Sequence, residues 1–371
     1  MDTRWSVVLT IFMCCIPTLR GILWSPASNL LLSGSKGHLR YIGTVSSGID
    51  KAVKECRHQF KWDRWNCPDS TVYNNPDANR EMSFVQAIAS AGVMYSITRN
   101  CSEGVLENCG CDDTQNKKPG GDGWTWGGCS DNVRFGERTS TDIMDASEKS
   151  QDALTVMRLH NHEAGRRAVK QTIERTCKCH GVSGSCTMQT CWKQLATFRS
   201  IGAQIKRKYF KAVRVDFISG RLIDSNRAED RGPRGSSRDQ VTAASRRDLV
   251  FLNQSPDYCR ANLSIGVAGT AGRECFMKGD EQIVDPLATS PSAIGAGDSS
   301  SSSSPSSDAS DRWMKQSCSR LCMSCGMEVR TTRVTVTTSC NCNFVWCCSV
   351  KCDTCRRTVV KRICQPIGFK R

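Results

Sequence analysis

Cys177-Lys-Cys-His-Gly-Val-Ser-Gly-Ser-Cys-Thr-Met-Gln-Thr-Cys191 is the stretch on which the fold turns. Its cysteines fall at 177, 179, 186 and 191. Nested pairing, 177 with 191 and 179 with 186, closes a two-stranded hairpin with two covalent rungs. A lone hairpin is marginal in water, which gives such rungs a structural purpose. The tip is then His180-Gly-Val-Ser-Gly-Ser185, and Gly181 and Gly184 are expected to supply the φ > 0 positions of a tight turn. Ser183 falls at the apex, exposed and unpaired.

The device recurs from Cys340 to Cys355, with cysteines at 340, 342, 347, 348, 352 and 355. Nesting 340 with 355 and 342 with 352 leaves Cys347 and Cys348 at the tip, where a bridge between neighbours would stiffen it. Beside them lie Phe344, Val345 and Trp346. Apolar groups at an exposed tip make a docking surface. Spacing alone leaves open the alternative that the three pack into the domain's own core.

Twenty-four of the 371 residues are cysteine, and 51 Lys+Arg against 36 Asp+Glu give a net charge of +15. So many cysteines belong either to a metal or redox protein or to an exported disulfide framework. The N-terminus decides between them. Val7 to Leu19 reads VVLTIFMCCIPTL after a single Arg4, too short to span a bilayer and matched to a signal peptide, assigned to residues 1–22 with cleavage between Arg20 and Ala27. Removing Cys14 and Cys15 leaves 24 − 2 = 22 cysteines, enough for eleven bridges. No other stretch is long and apolar enough to be a transmembrane helix. Asn100, Asn253 and Asn262 begin N-x-S sequons, in keeping with secretion; Pro256 disfavours the second.

Ten cysteines lie between Cys56 and Cys191, none between Trp192 and Tyr258, and twelve beyond. The expected architecture is a mostly α N-terminal domain over 23–250, carrying the first disulfide-pinned β-hairpin, plus a small cysteine-rich β-hairpin C-terminal domain over 251–371. Helices are expected over Ser83–Arg99, with Ser83 as N-cap, over Asp145–Arg175, over the basic Trp192–Val215, and over Thr242–Leu252. Strands are expected around Val329–Val336 and Thr358–Ile363. Ser219–Asp239 reads as a polar loop. Residues 286–311, with Ser299 to Ser304 in one run, read as a disordered insertion.

Two chemical alternatives are weaker. Cys322-x-x-Cys325 and Cys352-x-x-Cys355 have zinc-pair spacing, but the pairs are far apart, histidines number five, and export favours bridges. Gly181-Val-Ser-Gly-Ser185 is near a nucleophile elbow, yet position 185 is serine and no apolar strand precedes it.

The chain resembles the secreted Wnt ligands, most nearly the eighth subfamily. The stretches that carry this are Phe60-Lys-Trp-Asp-Arg-Trp-Asn-Cys-Pro68, Ala91-Gly-Val-Met-Tyr95, Cys109-Gly-Cys-Asp112 and Trp126-Gly-Gly-Cys-Ser-Asp-Asn132. His160-Asn-His-Glu-Ala-Gly165, Cys177–Trp192 and Cys340–Cys355 complete them, with Ser255-Pro-Asp-Tyr-Cys259 and Gly272-Arg-Glu-Cys275 for the subfamily. The resemblance implies a non-enzymatic morphogen with no cofactor beyond a covalent palmitoleoyl group on Ser183. A membrane-bound O-acyltransferase adds the group, and a lipid-carrying secretion factor exports the product. It implies docking to a Frizzled cysteine-rich domain through Lys178, Val182, Ser183 and Gly184 on one tip. Phe344, Val345, Trp346, Cys347, Cys348, Ser349 and Val350 would dock on the other, like thumb and finger, with an LDL-receptor-related co-receptor completing the complex. Burial of the acyl chain would contribute at most roughly 10 kcal/mol, at ~0.8 per CH₂. The remaining bridges implied are Cys56–Cys67, Cys101–Cys109, Cys111–Cys129, Cys259–Cys325, Cys275–Cys318 and Cys322–Cys364, besides Cys177–Cys191, Cys179–Cys186, Cys340–Cys355, Cys342–Cys352 and Cys347–Cys348. Many family members have Lys-Phe-His-Trp where this chain has Asn343-Phe-Val-Trp346, and the serine-rich insertion is not a usual family feature.

The charge is concentrated. Residues 312–371 hold 12 basic and 2 acidic residues, and residues 192–250 hold 14 and 6. Export removes nucleic acid as a partner, which leaves heparan sulfate of the extracellular matrix and anionic cell surfaces as partners, with a merely solubilising basic face as the equal alternative. The competing functions are a heparin-binding matrix protein without a lipid and a secreted serine hydrolase.

Overall fold

The structure, a computed structural model, describes residues 39–68, 77–121, 123–146, 148–225, 243–277, 314, 316–346 and 349–368. The leader Val7–Leu19, the insertion 286–311, the stretch 226–239 of the expected loop, and Cys347 and Cys348 lie outside them. The chain divides into two compact units. One takes residues up to Gln59 and Cys67–Pro256; the other takes Phe60–Asn66 and Asp257–Arg371.

The first unit is built on helix α2 (Arg80–Ser102), which is buried on nearly all sides. Helices α1 (Ile42–Gln59), α3 (Val133–Met144), α4 (Ala153–Gln171) and α5 (Phe198–Phe210) all pack against it. A helix without a polar face has to be the centre of its layer. Small residues let the neighbours approach. A Cβ on Gly165 of α4 would sit 2.0 Å from the Ala87 carbonyl oxygen, and one on Gly92 would sit 2.3 Å from that of Gly48 on α1.

Several expected boundaries move. The N-cap of α2 is Asn79, whose Oδ1 accepts from the Met82 amide at 3.0 Å; Ser83 lies inside the helix, fully buried. Asp145 ends α3, and α4 starts at its own cap, Asp152, which accepts from the Thr155 amide at 2.7 Å. The expected helix over Trp192–Val215 is strand β4 (Gln189–Leu195), helix α5, and the start of strand β5 (Val213–Ile218). The described part of Thr242–Leu252 is not helical: it is a bridge at Ala243, a turn, and the short strand β7 (Val250–Phe251), parallel to β5. Val250 pairs with a neighbour distant in sequence, so its burial reflects tertiary contact and not a helical face. The expected loop from Ser219 begins instead with strand β6 (Arg221–Asp224), antiparallel to β5.

The second unit is organised by sulfur. Cys275, Cys318, Cys322, Cys364 and Leu321 form its core, with Trp62, Met327 and Val329 packed around them. Sulfurs of Cys275, Cys322 and Cys364 lie within 4.8 Å of one another, but each is already bridged and offers no thiolate. The unit begins at Asp257, not 251, and also takes Phe60–Asn66. That segment is fastened by many groups: Trp62 meets Phe276 edge to face at 5.1 Å, Arg273 donates to the carbonyls of Lys61, Asp63 and Arg64 at 2.8–2.9 Å, and Arg320 pairs with Asp63. A far-off cluster of cysteines thus recruits a seven-residue segment from early in the chain. Strands β9 (Met327–Val345) and β10 (Ser349–Pro366) form a long antiparallel ribbon, joined at its base by β8 (Glu274–Cys275).

Candidate functional site: two braced hairpin tips

The first tip belongs to the first unit. Strand β3 (Ile173–Cys179) pairs with β4 from Ile173–Leu195 to Cys179–Gln189, with Cys177 directly opposite Cys191. Disulfides join Cys177 to Cys191 and Cys179 to Cys186. The hairpin is not a free ribbon as expected. Strand β2 (Trp124–Trp126) runs parallel to β4, and β1 (Pro119–Gly121) completes a four-stranded sheet. Arg175 stacks over Trp124 at 4.7 Å and Lys193 over Trp126 at 5.7 Å.

Residues Ser130 and Asp131 tie this sheet to the helices. Asp131 accepts from the Ser102 hydroxyl at 2.5 Å and from the Leu195 amide at 2.7 Å, and Ser130 Oγ accepts from the Lys193 amide at 3.2 Å. Cys111–Cys129 and Cys101–Cys109 brace the intervening loop. The Asp131 carboxylate, almost wholly buried, is therefore a girder between α2 and the hairpin.

At the apex a single turn of 3-10 helix spans Val182–Gly184. Amides of Gly184 and Ser185 donate to the carbonyls of Gly181 and Val182 at 3.0 and 3.1 Å. The positive φ angles fall on Gly184 (78°) and on Ser183 itself (55°), not on Gly181. Gly181 is needed for space instead, since a Cβ there would sit 2.0 Å from Ser185 Oγ. A non-glycine residue held at positive φ carries a small conformational cost, accepted here because the turn projects it outward. Ser183 is exposed, and Val182 beside it is 90% exposed. Lys178 is exposed on β3 opposite Thr190. Neither Ser183 nor His180 makes a side-chain hydrogen bond among the described residues, so no nucleophile–base pair is formed there.

The second tip belongs to the second unit. Disulfides Cys340–Cys355 and Cys342–Cys352 brace the far end of the ribbon, where a register shift falls between Lys351 and Asp353 and Asn341 adopts φ 49°. Phe344 is 72% exposed and Trp346 91% exposed, with Val345 and Val350 also exposed and Ser349 beside them. These groups do not pack into the unit's core; the bland alternative fails.

The sequons differ. The Asn100 side-chain amide donates to Thr44 Oγ1 at 2.9 Å and is half-buried. Asn253 is exposed, though its sequon partner Ser255 donates to Glu81 at 2.5 Å. Asn262 is exposed and its Oδ1 accepts from the Ser264 amide and hydroxyl.

The stretch His160–Gly165 proves to be scaffold. Burial pulls the His160 imidazole below its usual range, and its Nε2 lies 3.0 Å from the Asp248 carbonyl. Asn161 bonds Gln86 and both backbone groups of Val250. For Asp145, burial raises the carboxyl pKa, but hydrogen bonds from His162 and Arg166 outweigh it and hold the group below its usual range. Glu55 was not anticipated: with its side chain 5% exposed, burial lifts its pKa to about 7, against a hydrogen bond from Gln59 and the charge of Arg199.

The family model described as wnt family matches residues 32–284 and 299–365. The chain belongs to the Wnt family. Protein Wnt-8b of Homo sapiens is 46% identical over 97% of this chain and 93% of its own length, and protein Wnt-8 of Xenopus laevis 43% over 98% and 94%. A chain of the solved complex of human WLS with WNT8A is 41% identical, with a TM-score of 0.64 over 92% of this chain and 99% of that one. The two units are thus those of a Wnt fold, a helical N-terminal part and a cysteine-rich β part, and the relatives are of the eighth subfamily. The chain is a secreted Wnt signalling ligand. No described helix is long and apolar enough to cross a membrane.

Proposed function

We propose that this Wnt is acylated on Ser183 with a palmitoleoyl group and engages a Frizzled cysteine-rich domain through its two braced tips. The observation that carries the reading is Ser183 itself: an exposed hydroxyl at the apex of a turn stiffened by two disulfides, with no side-chain partner among the described residues. Such a group enters the active site of a membrane-bound O-acyltransferase without local unfolding. The attached chain then has nothing on the tip to bury against, and an external groove is the favourable place for it. Val182, Gly184 and Lys178 form the surround of that contact. Phe344, Val345, Trp346 and Val350 offer a second apolar contact, with Cys347, Cys348 and Ser349 beside them. Two weak contacts made by one chain raise each other's effective concentration.

The lipid also requires a carrier in export. The relative solved with WLS supports a lipid-carrying secretion factor of that kind as partner here. An LDL-receptor-related co-receptor completes the signalling complex, and heparan sulfate holds the basic protein in the extracellular matrix. The protein acts by binding and not as an enzyme; its membership of a family of signalling ligands supports this. Glycans are assigned to Asn262 first, then Asn100 and Asn253.

Intact mass and peptide mapping of secreted protein test the reading. The Cys179–Cys191 peptide is expected to carry the increment of a C16:1 acyl group. Ser183→Ala is expected to fold, because nothing packs on the apex, and to lose receptor activation. Active protein with an unmodified Ser183 would sink the proposal.

A further inference from the structure

At the base of the β9–β10 ribbon lies a cavity of about 500 Å³ that belongs to neither tip. Its lining comes entirely from the second unit. The Cys259–Cys325 disulfide contributes to the wall, as do Met327 and Pro366, which face each other where the ribbon starts. Ile367 follows Pro366 along the wall and is 67% exposed. Arg64 and Arg260 complete the part that matters here, and both are exposed. Val345, beside the second tip, is at the far end of the 19-residue strand β9, about 60 Å from Met327 at ~3.3 Å per residue.

Most polar groups of the wall are already used by the fold. The amides of Cys325, Gly326 and Met327 turn back and donate to the carbonyls of Cys322, Met323 and Cys322, each at 3.0 Å. Ser324 Oγ donates to the Arg320 carbonyl, and the Arg64 carbonyl accepts from Arg273 at 2.8 Å. Asp257, the one acid of the lining, accepts from the Cys259 amide at 2.9 Å. Two guanidinium groups remain. The Arg260 side chain has no hydrogen bond or ion pair among the described residues, and Arg64 spends only its Nε, on the Arg320 carbonyl at 3.4 Å. The hollow therefore offers cations and an apolar wall, with its nearby amides already spent. Such a surface selects a carboxylate carried next to an apolar side chain. With its arginines and Ile367 open to water, it suits a chain segment passing through it better than an enclosed small molecule.

We propose that this cavity is a docking site for an extended acidic–apolar segment of a partner protein. An Asp or Glu of the segment pairs with Arg260 and Arg64, and a neighbouring leucine-sized side chain lies against Met327, Pro366 and Ile367. The site is formed in advance: the disulfide joins its two sides, and Arg273 holds the backbone at Asp63 and Arg64, so little ordering is lost on binding. Exposed ion pairs are individually weak, so burial of the apolar side chain supplies affinity and the arginines supply selection. The distance along the ribbon lets the segment bind while the second tip is engaged elsewhere.

The test pans a random peptide library on full-length secreted protein, counter-selected against Arg260→Glu, and measures the recovered peptides by fluorescence polarisation. Peptides with Asp or Glu close to Leu, Ile or Phe are expected. Arg260→Glu, whose side chain has no partner to lose, should weaken them roughly tenfold, and Ile367→Asp should do the same. A peptide with its acid changed to Lys should bind Arg260→Glu better than the parent, which a merely unfolded variant would not show. Trp346→Ala should leave peptide binding unchanged. Recovery of no peptide, or of peptides without an acid, would overturn the proposal. So would binding to Arg260→Glu or Ile367→Asp within about twofold of the parent, which is below 0.5 kcal/mol. Loss of binding in Trp346→Ala would assign the peptides to the tip and overturn it too. The readout needs neither the acyl group nor a receptor, so its failure leaves the reading of Ser183 untouched.

Discussion

Trp346→Ala should weaken receptor binding severely while leaving the fold untouched. Trp346 is 91% exposed, so it contributes almost nothing to the second unit's core. Its substitution should therefore fall within the usual surface range of about ±0.5 kcal/mol for stability. An aromatic side chain offers about 150–250 Å² to a partner. If docking removes about 100 Å² more from water than alanine does, the loss is about 2.5 kcal/mol at ~25 cal/mol per Å². That is between thirty- and a hundred-fold in Kd, at about 1.4 kcal/mol per tenfold. Biolayer interferometry of the acylated protein on an immobilised Frizzled cysteine-rich domain measures it, with thermal unfolding as the control for folding. Leu263→Ala is the matched control, because Leu263 is 89% exposed on the same unit but lies outside the tip. A Kd within about threefold of the parent, or an equal loss from Leu263→Ala, would refute the reasoning.

Further outcomes concern the scaffold. Glu55 has a folded pKa of about 7 against an ordinary 4.5, raised chiefly by burial, so its stabilising contribution is full below the lower value and is lost as pH rises through the upper one. Glu55→Gln should raise the unfolding temperature at pH 8, by as much as about 3 kcal/mol of stability less whatever the half-exposed Arg199 returns, and change little at pH 4.5. A lower unfolding temperature at pH 8 would mean that the Arg199 pair dominates. Gly165→Ala forces a methyl to within 2.0 Å of the Ala87 carbonyl oxygen; a loss of roughly 1–3 kcal/mol and reduced secretion are expected, and unchanged stability would show that the α2–α4 crossing yields freely. Deleting Thr289–Asp308 should leave receptor activation near normal in a reporter assay, since the deletion removes no residue of either tip; a large loss of activation would refute this.

The hairpins were legible from spacing because a disulfide is a local geometric demand when the cysteines are close in sequence. Cys177, Cys179, Cys186 and Cys191 leave few ways to arrange fourteen intervening bonds of chain, and the alternation of valine and threonine around Val334 marks strand wherever it lies. Helix α2 was legible for its run of apolar and small residues. Helix α1 was not: Gly43, Gly48 and several β-branched residues hide it, and its packing on α2 through Gly48 and Gly92 is what makes those glycines favourable. Thr242–Leu252 misled because a short apolar run does not declare its period. Val250 is buried by Asn161 and β5, partners that sequence proximity does not reveal.

At the sites the division is sharper. Sequence by itself determined that a serine sits at the apex of one braced loop and three apolar residues at the end of another, because both follow from counting between cysteines. Only the tertiary structure decided that Phe344 and Trp346 face water and that Ser183, not Gly181, takes the left-handed conformation. It also decided that Phe60–Asn66 is built into the cysteine-rich unit. Exposure and backbone hand depend on which atoms arrive from elsewhere in the chain, and a spacing rule carries no information about those.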